Sequence, residues 1–225
     1  MGGVQFPGIV KIPNILICGQ TGTGKSSVIN FIFKQEVAEV GRTAEPKTRD
    51  ITLYKSNTIN IYDSEGYEIG SKKQRNYEHI LFDEFLHKYK KTQDDRVVHM
   101  VWYTISGANK RYTDLDLKLI RRITLEGFSV CVLLTKIDEL DNDKLQNLLS
   151  ALRKEKELIG INIFKVSENT SNNSELSALC DWEKLTDWSY SVLPDIYRKL
   201  FVASLRMSSA QTRKLARAAI AKVLQ

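Results

Sequence analysis

The strongest constraint on this chain is an eight-residue run, Gly19-Gln20-Thr21-Gly22-Thr23-Gly24-Lys25-Ser26, which fits G-x-x-x-x-G-K-[ST]. Ahead of it, Ile12-Pro13-Asn14-Ile15-Leu16-Ile17-Cys18 reads as a buried strand; behind it, Ser26-Ser27-Val28-Ile29-Asn30-Phe31-Ile32-Phe33 reads as a helix with an apolar face. Strand, glycine loop and helix in that order make a phosphate cradle. Glycines let successive backbone N–H groups converge on phosphate oxygens, and the helix N-terminus adds a favourable dipole. Residues Gln20 to Ser27 are the expected nucleotide contacts, with Lys25 on the β- and γ-phosphates and Ser26 on Mg²⁺.

The rest of the chain must supply a sheet around that strand. Apolar runs near 14–18, 50–55, 58–63, 97–104, 128–134 and 161–166 alternate with helical patterns near 25–34, 72–91, 114–125, 142–158 and 181–205. The expectation is a three-layer α/β sandwich: a six-stranded, mostly parallel sheet with one antiparallel hairpin strand across Ser56-Asn57. Pro194 is placed to start a new helical segment. The stretch 35–49 shows no clear periodicity. The organisation expected is an N-terminal extension at 1–11, the α/β domain at 12–205 and a tail at 206–225.

Charge divides the chain a little earlier, at Arg198. From Arg198 to the C-terminus there are seven basic residues and no acid, while the preceding 197 residues carry a net charge of −1. A nucleic-acid surface on the domain is therefore not expected. The tail reads as a basic amphipathic helix for a protein partner or a membrane surface, too alanine-rich for deep insertion. Cys18, Cys131 and Cys180 have no metal-ligand spacing, and no secretory signal pattern is read at the N-terminus, so a cytoplasmic setting is expected, peripheral to a membrane at most.

Three further elements follow the loop in order, and on them the chain resembles the GTPases that include Ras and the translation factors, most closely the Era-like and septin-like (paraseptin-related) branches, over roughly residues 12–200. Asp63-Ser64-Glu65-Gly66 fits D-x-x-G, Thr135-Lys136-Ile137-Asp138 fits [NT]-K-x-D, and Val166-Ser167-Glu168 stands where the family's last base-contacting loop lies. The resemblance implies a G domain that binds GTP and GDP with Mg²⁺. Asp63 would hold the metal through water, and the Gly66 N–H would meet the γ-phosphate. Asp138 would accept from guanine N1–H and N2–H₂, a donor pair adenine lacks. Lys136 would lie along the base, Thr135 would tie the two loops together, and Ser167 and Glu168 would border the guanine carbonyl. Thr48, in a segment similar to the Era-like P-x-T pattern, is the expected switch threonine and metal ligand. Lys25, Thr48 and Gly66 are thus the residues expected at the reacting phosphate.

Ras-like enzymes place a water-orienting Gln after the D-x-x-G glycine, and this chain has Tyr67. The resemblance therefore implies slow hydrolysis, accelerated by self-association across the nucleotide face or by another protein. The alternative is a guanine-nucleotide-dependent assembly module that does not hydrolyse GTP.

Overall fold

The computed structural model describes residues 11–35, 43–48, 51–68, 70, 76–90, 97–108 and 112–204, with backbone alone at 34, 35, 43–48, 171, 172 and 202–204. The expected basic helical tail and the N-terminal extension before residue 11 lie outside the described residues.

Strand β1 (Asn14–Gly19) is buried at every position. It lies at the centre of the sheet, whose order is β2-β3-β4-β1-β5-β6-β7. The other strands are β2 (Thr43–Thr48), β3 (Ile51–Lys55), β4 (Asn60–Ser64), β5 (Met100–Ser106), β6 (Ser129–Thr135) and β7 (Asn162–Lys165). β1 pairs in parallel with β4 on one side and β5 on the other. β6 and β7 continue the parallel half, and β3 runs antiparallel to β4 as the hairpin expected across Ser56-Asn57. The six strands read from the sequence are joined by a seventh: β2 pairs antiparallel with β3 at the sheet edge, with a register shift between Pro46 and Thr48. An edge strand tolerates a proline because one row of its backbone groups needs no partner, which is why so irregular a segment can pair there.

Side chains alternate across the sheet, so β1 feeds two cores. Leu16 and Cys18 pack with Phe82, Phe85, Leu119, Ile120, Leu148 and Leu149 on one face. Ile15 and Ile17 pack with Val28, Ile32, Trp182, Leu185 and Phe201 on the other. The first face is covered by helix α2, a π-helical run His79–Leu86 continued by His87–Tyr89, with α3 (Asp114–Leu125) and α4 (Asn142–Lys154). The second is covered by α1 (Lys25–Gln35), α6 (Trp182–Val192) and α7 (Asp195–Ser204); the short α5 (Ser174–Leu179) precedes α6. Two expected helices are each divided. The segment 142–158 ends as α-helix at Lys154 and turns into a 3₁₀ turn Lys156–Leu158. The segment 181–205 breaks at Leu193-Pro194, because proline lacks the N–H that would continue α6 and disfavours helical geometry in the residue before it.

Candidate nucleotide site

At β1 the chain order reverses direction across the sheet, and the carboxyl ends of β1, β4, β5 and β6 open onto one crevice, the place where open α/β sheets bind ligands. Gly19 has φ +141°, and a Cβ there would lie 2.4 Å from the Thr104 carbonyl oxygen, so this turn admits glycine alone. The loop then wraps back on itself. The Thr23 hydroxyl donates to the Gln20 carbonyl at 2.8 Å. Lys25 is buried, and its Nζ donates to the carbonyls of Gly19 and Gln20 at 3.2 and 2.9 Å.

A cleft of about 530 Å³ spans this loop. Thr21, Gly22, Gly24, Lys25, Ser26 and Ser27 line one wall, and Thr52, Asp63, Ser64 and Glu65 line the other. Burial pushes the Asp63 carboxyl up to about 6 against the pull of the Lys25 ammonium, and the same burial lowers the lysine's pKa while Asp63 opposes it. Asp63 Oδ1 is buried and has no hydrogen-bond partner among the described residues. A buried carboxylate oxygen left unpaired in a cleft that Ser26 also lines is a fitting position for a hard, oxygen-seeking cation held partly through water.

The D-x-x-G segment closes on the loop directly. Gly66 has φ +86°, and a Cβ there would come within 2.7 Å of Lys25 Nζ and 2.9 Å of both Gly19 O and Thr21 N. The next residue is fixed at both ends. The Tyr67 carbonyl accepts from Thr21 N–H at 2.9 Å, and its hydroxyl donates to Asp116 Oδ1 at 2.6 Å. Tyr67 is thus a fully buried core residue, turned away from the cleft. Tyr77 sits next to it with ring centroids 5.0 Å apart and shares a hydrogen bond with Ser64 at 2.8 Å.

A second, narrower cavity of about 90 Å³ adjoins the cleft through Gly24, Ser27 and Lys136. Its walls include Thr135, Asp138, Ser167, Glu168 and Trp182. The Thr135 hydroxyl donates to the Thr23 carbonyl at 2.6 Å, joining this pocket to the phosphate loop. Lys136 is the one non-glycine residue with positive φ (53°) among the described residues, so the turn that delivers Asp138 carries strain at the pocket wall. Ser167 Oγ and Asn169 Nδ2 each donate to Asp138 at 2.7 Å. Burial raises the Asp138 pKa, but the hydrogen bonds from Ser167 and Asn169 outweigh it and hold the carboxyl below its usual range. Trp182 stacks on Phe31 with centroids 4.3 Å apart, and its Nε1–H donates to the Ser167 carbonyl at 3.2 Å.

Of the predicted residues, Thr21, Gly22, Gly24, Lys25, Ser26, Ser27, Asp63, Thr135, Lys136, Asp138, Ser167 and Glu168 line these two adjoining spaces; Gln20, Thr23 and Gly66 do not, the Gln20 amide being turned to Asp116 and the Thr23 hydroxyl to Thr104. Thr48 lies at the end of edge strand β2, and its side chain is outside the described atoms. Sequence reasoning missed Asp116, Asn169, Tyr77 and Trp182. Only Asp116 carried a signal, the Thr113-x-x-Asp116 spacing of a helix cap, which gives no hint of its contact with Tyr67.

With this geometry in place, the family is decided by a match of residues 11–185 to the septin family model. The chain belongs to the septin family. Its septin-type G domain is also similar to the probable GTP-binding protein EngB of Mesomycoplasma hyopneumoniae (strain 7448), 26% identical over 174 residues, covering 75% of this chain and 81% of that one. Neuronal-specific septin-3 of Danio rerio is 24% identical over 179 residues, covering 69% of this chain and 49% of that protein. The chain thus spans about half the length of that septin. Among solved structures, a probable GTP-binding protein engB superposes with TM-score 0.53 at 16% identity, covering 80% of this chain and 97% of the other. Era in complex with MgGDPNP and a piece of 16S ribosomal RNA superposes with TM-score 0.52 at 16% identity, covering 82% and 58%. These superpositions establish a P-loop G-domain fold.

Proposed function

We propose that this septin-family domain binds GTP and GDP, hydrolyses GTP slowly in a Mg²⁺-dependent reaction, and uses the γ-phosphate to switch the segments 36–50 and 64–75. The observation that carries this reading is the continuity of the two spaces. A carboxylate on a strained turn stands in a pocket that shares walls with a lysine-bearing phosphate loop. The likeness to EngB, a probable GTP-binding protein, supports guanine as the base.

Seating guanine exchanges the Asn169 hydrogen bond on Asp138 for the base's own donors, while Ser167 stays to border the guanine carbonyl. Lys25 leaves the Gly19 and Gln20 carbonyls for the β- and γ-phosphates. Ser26, Thr48 and, through water, Asp63 would hold Mg²⁺, which supplies charge stabilisation on the bridging and γ-phosphate oxygens. Gly66 presents its N–H to the γ-phosphate. The chain's own work is then positioning and charge neutralisation.

A second reading is favoured by one observation. Tyr67 is buried with its hydroxyl on Asp116, so the position after Gly66 offers no side chain to orient an attacking water. On this reading the domain is a nucleotide-dependent assembly module with little or no turnover. Multiple-turnover phosphate release separates the two: a slow steady rate that Lys25→Ala abolishes supports the GTPase, and a single stoichiometric release or none supports the module. Contact between two copies across the nucleotide face, and a protein or membrane-surface partner for the basic tail, complete the proposal. We place the domain in the cytoplasm, a setting consistent with its three unpaired cysteines.

A further inference from the structure

One buried carboxylate collects the side chains that surround the phosphate loop from below. Asp116, 1% exposed, accepts at Oδ1 from Tyr67 (2.6 Å) and Tyr103 (2.7 Å). At Oδ2 it accepts from Gln20 Nε2 (2.7 Å), Thr113 N–H (2.8 Å) and the Thr113 hydroxyl (2.7 Å). Five donors more than fill the roughly four acceptor sites of a carboxylate. Burying such a group costs several kcal/mol in general unless every lone pair is answered, and an apolar replacement is often as stable, so fold stability alone is a weak reason for it.

The two oxygens do different work. Oδ2 completes the cap of α3 with Thr113, an ordinary helix-start arrangement, and also holds the Gln20 side-chain amide of the phosphate loop. Oδ1 serves no cap. It ties β5 through Tyr103 and the residue after Gly66 through Tyr67. Tyr67 in turn holds Thr21 N–H of the phosphate loop with its carbonyl. Gly66, between that tether and Asp63, is pressed against Lys25 Nζ so closely that no Cβ would fit.

We propose that Asp116 is a positioning residue which, through Tyr67, presets the Gly66 N–H over the phosphate loop and so sets how strongly the protein prefers nucleoside triphosphate to diphosphate. The proposal deepens the nucleotide-binding reading above and rests on it. A tethered donor binds the γ-phosphate without first losing conformational freedom; an untethered one must be ordered on binding. The diphosphate makes no contact at Gly66 and is indifferent to the tether.

Two matched variants test this without deleting the carboxylate, whose loss could unfold the protein. Tyr67→Phe and Tyr103→Phe each remove one hydroxyl from the same Asp116 oxygen at nearly the same distance, and both rings are fully buried. Their thermal stabilities should fall alike. Equilibrium binding of fluorescent GDP and of a non-hydrolysable GTP analogue, each with Mg²⁺, should then part them. Tyr67→Phe is expected to weaken the triphosphate analogue about five- to tenfold, the loss of one pre-ordering hydrogen bond, with GDP within about twofold of wild type. Tyr103→Phe should leave both within that margin. Equal triphosphate losses in the two variants, or none in Tyr67→Phe, would overturn the proposal. A wild-type protein that binds neither nucleotide would instead sink the nucleotide reading and this proposal with it, an outcome the wild-type titration shows by itself.

Discussion

Gly19 shows how little freedom the site leaves to single residues. Its φ of +141° and the 2.4 Å approach of a Cβ to Thr104 O leave no place for a side chain. Gly19→Ala is expected to lower unfolding stability by roughly 3 kcal/mol, measurable by chemical denaturation. In the proposed site, Asp138 carries specificity through two acceptors. Asp138→Asn replaces one with a donor, so GDP affinity should fall about 100-fold, the scale of discrimination by a site's buried polar groups. A xanthine nucleotide, which has a carbonyl where guanine has its exocyclic amine, should gain in affinity. His99 supplies a pH signature away from the site. Burial, with Lys11 acting in the same direction, lowers its pKa from 6.5 to about 4, although the Asn14 backbone hydrogen bond opposes this. In the neutral ring Nδ1 accepts from Asn14 N–H at 3.0 Å; the opposing contact is the Asn14 carbonyl, 3.3 Å from Nδ1, to which a protonated ring would donate, and the ring lies on Tyr197. The unfolded chain takes up a proton near pH 6.5 that the fold refuses until about pH 4. The contribution to stability is therefore complete above 6.5 and is lost as pH falls toward 4, by up to about 3 kcal/mol. Denaturation midpoints across that window should be steeper in pH for wild type than for His99→Asn. Lys25, Asp63 and Asp138 were legible in the sequence because each sits inside a short contiguous motif that closes or follows a strand. The Tyr67–Asp116 bond was not, since its partners lie 49 positions apart and neither residue type announces the other.

Among the elements, the buried strands could be read because their apolar runs match a sheet covered on both faces. The edge strand Thr43–Thr48 could not: TAEPKT has neither alternation nor strand propensity, and its pairing with β3 supplies the order that its own sequence lacks. Likewise the periodicity of 142–158 continues past Lys154, although the backbone tightens into a 3₁₀ turn there. Helix α6 has a role beyond packing, because its first residue, Trp182, fixes the Ser167 carbonyl at the base pocket. Trp182→Phe keeps a ring against Phe31 and removes the N–H. It should cost about 1 kcal/mol of stability and raise the GDP dissociation rate about fivefold in stopped-flow displacement. An unchanged dissociation rate would show that α6 does not hold that loop for the base.

For the whole molecule, the sheet brings two spaces together that the chain separates by more than a hundred residues: the phosphate loop after β1 and the Asp138 turn after β6. A single ligand with phosphates at one end and a guanine at the other accounts for both. Self-association across this face predicts that phosphate release per molecule rises with protein concentration; a constant specific rate would remove that part of the proposal. The reading of both spaces turns on the identity of the base. Competition of unlabelled GDP and ADP, with Mg²⁺, against fluorescent GDP on the purified protein tests it most directly. GDP should displace the probe at concentrations at least about a thousandfold lower than ADP, as expected where a buried polar pair selects the base. Equal displacement by ADP would contradict it.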